Sequence, residues 1–188
     1  SDLLKKGYTP ANPVDQVMKE GSMSEIVFWE ILKTAKQKGE DPEEQIEWLV
    51  SHLSKKPVKD IVMFDYFFNQ NYQNSYTSDL WAAAYIIMGG ASDDSFDYFR
   101  AWLVFQGKDT YEEVLNDPEK IIPYLKKLED EEDVPQLEDL LSAASIAYEE
   151  KTGLEYDDYF DLYVQLTGDH TIPPDIEFDW DEDDEEGL

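Results

Sequence analysis

The chain has 188 residues and a formal net charge of −29, from 44 Asp and Glu against 15 Lys and Arg. That balance opposes binding to nucleic-acid phosphates or to anionic lipid, either of which needs a local basic patch. Cysteine is absent, which excludes disulfides, thiolate nucleophiles, iron–sulfur clusters and cysteine-type zinc sites, while 41% hydrophobic residues, with 5 Trp, 12 Tyr and 9 Phe, suffice for a folded core.

In chain order, residues 1–22 carry Gly7, Pro10, Pro13 and Gly21 without periodicity and read as an N-terminal arm or leader. A capping-box pattern at Ser22-Met23-Ser24-Glu25 then opens a helix whose stripe is Ile26, Phe28, Trp29, Ile31 and Leu32, with Gly39 beyond its end. Asp41-Pro42-Glu43-Glu44 starts a second helix with Ile46, Leu49, Val50 and Leu53 on its inner face. Pro57 opens a third, carrying Ile61, Met63, Phe64, Phe67 and Phe68, and the polar stretch 71–78 breaks it. The fourth spans 79–90. Leu80 to Met88 is apolar around its whole circumference, which predicts a buried central helix, and Gly89-Gly90 caps it.

Ser92-Asp93-Asp94 caps a fifth helix that runs to Gln106. Short helices follow over 111–115 and 118–128, split at Asp117-Pro118, and the acidic run 129–133 connects onward. Pro135 starts a helix with Leu137, Leu140, Leu141, Ala144 and Tyr148 inward and Gly153 at its end. The last helix covers 156–166. Beyond Pro173 the chain becomes acidic, with nine acids among the 12 residues 175–186, and reads as a poorly ordered tail. The expectation is an all-α fold: a single compact bundle of about seven to nine helices around the helix at 79–90. Its parts are an arm (1–22), a helical domain (23–170) and an acidic tail (171–188).

Asp79-Leu80-Trp81-Ala82-Ala83-Ala84-Tyr85, Gly89-Gly90, Ser92-Asp93-Asp94, Phe96, Tyr98-Phe99-Arg100, Trp102-Leu103 and Gln106-Gly107 together resemble the signature of an uncharacterised bacterial family, domain of unknown function 4240. Phe28-Trp29-Glu30, Asn116-Asp117-Pro118 and Ala147 to Gly153 fit the same pattern. The resemblance implies no activity.

One constellation invites a functional reading. Asp93, Asp97 and Arg100 share a helix face, and Arg100 is the only arginine. A planar guanidinium between carboxylates suits an anionic ligand or a partner's carboxylate, and the aspartates suit a metal or acid–base chemistry. The plainer reading is that Asp93 and Asp94 serve the helix N-terminus and Arg100 makes a structural ion pair. Trp81 and Tyr85 join Asp93, Asp94, Asp97 and Arg100 as the candidate binding residues; no catalytic residue or metal ligand is assigned. Asp179, Asp181 and Asp183 begin like an EF-hand loop, but Asp184 stands where glycine is required and no twelfth ligand follows. His52 and His170 lack metal-site spacing, and no phosphate loop or nucleophile elbow occurs.

The expectation is therefore a non-catalytic acidic protein-interaction module, cytoplasmic, without cofactor, binding a basic protein and neither nucleic acid nor membrane. The alternative is a small-molecule- or metal-binding enzyme using Asp93, Asp97 and Arg100.

Overall fold

A computed structural model describes residues 23–131 and 133–171. Among them are nine α-helices, two 3-10 turns and no strand. The helices are α1 (Glu25–Ala35), α2 (Pro42–Ser54), α3 (Val58–Asn74), α4 (Ser78–Ile87), α5 (Asp93–Phe105), α6 (Lys108–Asn116), α7 (Ile122–Asp130), α8 (Ala143–Thr152) and α9 (Tyr156–Thr167). The turns are η1 (Pro118–Ile121) and η2 (Glu138–Ser142). The expected all-α class and helix number hold. The N-terminal arm and the acidic tail, with its EF-hand-like aspartates, fall outside the described residues apart from Thr171.

The described chain forms two compact units, one from residues 23–69 and 142–171, the other from residues 70–141. In the first, α2 packs against α1 and α8, and α8 against α9. Phe28, fully buried, anchors this core: its ring lies 5.0 Å from those of Trp29 and Phe64. In the second unit α5 packs against α4 and α6, and η1 against α4. There Phe96, Phe99, Leu103 and Val104 of α5 are all buried.

The helix starts follow local chemistry. Asp41 accepts from the Glu43 N–H at 2.9 Å ahead of Pro42, and Thr77 accepts from Leu80 N–H at 3.1 Å. Ser92 and Ser95 form a reciprocal capping box on α5. The first helix does not use the expected Ser22–Glu25 box: its N-cap is Ser24, which accepts from Val27 N–H at 3.2 Å, and Ile26 is left 77% exposed.

Two expectations need larger correction. The polar stretch at 71–78 does not end the third helix where expected, because α3 continues to Asn74. Its last carbonyls find partners outside the helix: Tyr111 Oη donates to Asn71 O, and Arg100 Nη2 donates to Tyr72 O at 2.7 Å. The helix at 79–90 is not a buried centre. It ends at Ile87, and only Leu80 and Ala84 in it are buried, whereas Tyr85 is 55% and Ile86 78% exposed. An all-apolar surface shows that a helix tolerates burial, but burial also needs neighbours on every side. Gly89 and Gly90 do end α4, with φ of 67° and 116°. Gly90 N–H donates to Tyr85 O and Gly89 N–H to Ile86 O, which is the Schellman arrangement.

Candidate functional site

The expected constellation lies within the unit formed by residues 70–141. Arg100 is 3% exposed, and each of its three side-chain nitrogens donates a hydrogen bond. Nε donates to Ser75 Oγ at 3.1 Å, Nη1 to Asp97 Oδ1 at 3.0 Å and Nη2 to Tyr72 O at 2.7 Å. The guanidinium also lies 3.9 Å from the Tyr72 ring centre, 4.9 Å from that of Tyr76 and 5.3 Å from that of Phe96. A cation at the carbonyl end of α3 is favoured by the helix dipole, and desolvation strengthens its ring contacts. Burial raises the Asp97 carboxyl above its ordinary value although Arg100 and a hydrogen bond from Tyr72 pull it down. The group is therefore a clamp, built on a buried guanidinium with a partly exposed Asp97, that fixes the turn after α3 against α5.

The other candidates spread around this clamp. Asp93 and Asp94 are exposed in the first turn of α5. Trp81 is half-buried, with its ring edge-on to Phe96 at 4.6 Å. Tyr76 meets the same Phe96 ring at 5.7 Å and is 67% exposed. Tyr85 points outward one turn beyond Trp81. Thus Asp97 and Arg100 meet, whereas Asp93, Asp94, Trp81 and Tyr85 make up the surrounding surface. Among the described residues no group of three His, Asp or Glu is placed to hold a metal ion. His52 stacks on Trp48 at 4.5 Å near the end of α2, and burial and Lys56, Lys55 and Lys38 lower its pKa. His170 is exposed.

A second polar cluster, which the sequence pattern does not announce, lies in the unit formed by residues 23–69 and 142–171. Tyr159 Oη donates to Asp65 Oδ2 at 2.6 Å, and Tyr163 Oη donates to Asp169 Oδ2 at 2.7 Å. Asn69 Nδ2 donates to Tyr163 Oη at 3.0 Å. Asp65 and Asn69 lie one turn apart on α3, as do Tyr159 and Tyr163 on α9, so two i, i+4 pairs face each other. Desolvation pushes Asp65 up to about 7, against the Tyr159 hydrogen bond, and the charge of Asp169 adds to the rise. Desolvation also acts to raise Asp169, but hydrogen bonds from Thr171 and Tyr163 together hold it below its ordinary value. The available signal was a polar i, i+4 pair within an otherwise apolar helix. It was masked by Phe64, Phe67 and Phe68, which gave the segment its core character.

A family model described as Protein of unknown function (DUF4240) matches residues 23–150. The chain belongs to this family. The DUF4240 match takes in the Arg100 clamp, α4 and the α3 half of the second cluster, and it stops before Tyr159, Tyr163 and Asp169. No curated protein and no solved structure matches the chain. No described helix is long and apolar enough to cross a membrane.

Proposed function

We propose that this DUF4240 protein is a non-catalytic acidic interaction module of the bacterial cytosol that binds a basic protein partner. The observation that carries the reading is the fate of the one arginine. Arg100 is buried and occupied by internal acceptors, and the rest of the chain's basic side chains are 14 lysines against 44 acids in the sequence. An excess of that size steers basic partners toward the molecule and raises the rate of encounter. Asp93 and Asp94, exposed at the start of α5, are available to such a partner. The enzymatic alternative loses support from the same geometry, because a ligand at Asp97 and Arg100 must displace bonds that hold the fold.

The test is affinity capture of the full chain's partners from its native host at low and high salt, with and without residues 175–188. Basic proteins retained at low salt and released at high salt are expected. Retention that ignores both salt and removal of those residues overturns the proposal.

A further inference from the structure

Charge is distributed unevenly along this chain. A run of 13 residues, Leu80 to Ser92, carries no charged side chain. At the chain's 31% charged content such a run ordinarily carries about four. A charge-free run is unremarkable when it is buried, but this one is not. Tyr85 and Ile86 are 55% and 78% exposed, Ala82 is exposed beside them, and Tyr76 is 67% exposed just before the helix. Trp81 adjoins these residues: it and Tyr76 both pack edge-on against Phe96, and Tyr85 lies one turn beyond Trp81. The Arg100 guanidinium underlies the Tyr76 and Phe96 rings and holds the base of this surface in place. Acids border the apolar run at both ends: exposed Asp79 at the start of α4, and exposed Asp93 and Asp94 after its terminal turn.

We propose that the outward face of α4, formed by Ala82, Tyr85 and Ile86 with Tyr76 and Trp81 beside it, is a docking surface for an amphipathic helix of another protein whose apolar stripe is bordered by Lys and Arg. The inference deepens the acidic-module reading and rests on it. Charge complementarity selects the occupant. The apolar face takes the stripe, and Asp79, Asp93 and Asp94 meet the basic borders. A second copy is disfavoured, because it brings a net charge of −29 and a matching acidic border against its like. An anionic membrane is disfavoured for the same electrostatic reason. Ala82, small and central, lets a partner helix approach closely between Tyr85 and Ile86 and the start of α4.

The test uses two labelled synthetic peptides of identical Leu, Lys and Ala composition and about 18 residues, long enough for several helical turns. One places Leu at helical spacing; the other is shuffled so that no apolar face forms. Anisotropy titrations with the full chain are expected to show the patterned peptide binding at least about tenfold more tightly. Tyr85→Ser with Ile86→Ser removes that preference, and Ala82→Gln weakens it. Ile26→Ser, at an equally exposed apolar residue of α1, leaves it intact. These side chains are exposed, so circular dichroism melts of the variants should stay close to the parent. Equal binding of both peptides that the variants do not alter overturns the docking surface; if that binding still falls with salt, the acidic-module reading survives it. Binding that ignores salt overturns that reading and, with it, the basic borders assigned to the occupant. Self-association, or attachment to phosphatidylglycerol vesicles, that is lost in the same double variant names a different occupant and also overturns the proposal.

Discussion

Asp65 and Arg100 show opposite solutions to placing a charged group away from water. For Arg100, three acceptors and two close rings replace the hydration of the guanidinium. Arg100→Lys retains the charge and loses the fork, so it should destabilise the protein by on the order of 2–4 kcal/mol, read by urea denaturation. Asp65 has a tyrosine donor and a neighbouring carboxylate, and its carboxyl is pushed up to about 7. The folded state therefore holds this proton more tightly than the unfolded chain, whose aspartate titrates near its ordinary value of 3.8. The full cost of ionising Asp65 is present above pH 7 and is relieved as pH falls from 7 toward 4. Lowering the pH from 8 to 5.5 should stabilise the protein by about 2 kcal/mol through this group. Asp65→Asn should remove that part of the pH dependence, and denaturation midpoints of both proteins at several pH values check it. An unchanged slope in the variant assigns the effect elsewhere.

At the scale of the element, caps and breakers carried most of the legible information. Asp41-Pro42, Ser92-Asp93-Asp94, Asp117-Pro118 and Gly153 mark boundaries that the structure keeps, because each acts within one turn of its own position. The box at Ser92 and Ser95 satisfies orphan N–H groups of α5, the helix that carries Asp97 and Arg100. Ser92→Ala should cost about 1 kcal/mol in thermal or urea melts. A variant as stable as the parent shows that the first turn finds its partners elsewhere. The end of α3 was less legible. Asn71, Tyr72 and Asn74 are weak interior helix residues, and the helix persists through them because Tyr111 and Arg100, distant in sequence, close its carbonyl end. The exposure of α4 departs from its apolar composition for a related reason. Composition reports how much of a helix can be buried, and the number of packed neighbours decides how much is.

Across the whole molecule the net charge of −29 opposes compaction through self-repulsion. Salt screens that repulsion, so the melting temperature should rise as sodium chloride increases from about 20 to 300 mM. A flat or falling melting temperature in differential scanning fluorimetry shows that specific attractive pairs outweigh the net field. The same screening weakens encounter with the basic partner proposed above, so stability and that binding should respond to salt in opposite directions. Sequence by itself determined the all-α class, the DUF4240 resemblance, most helix boundaries and the acidity, because periodicity, caps and net charge are local or additive properties. It also drew attention to Arg100, whose rarity is visible without coordinates. Tertiary structure decided that Arg100 points inward to a helix end, that Asp65, Asn69, Tyr159, Tyr163 and Asp169 meet, and that α4 turns Tyr85 and Ile86 to solvent. Each of those outcomes depends on which elements become neighbours across tens of residues of chain, and neither spacing nor composition encodes that choice.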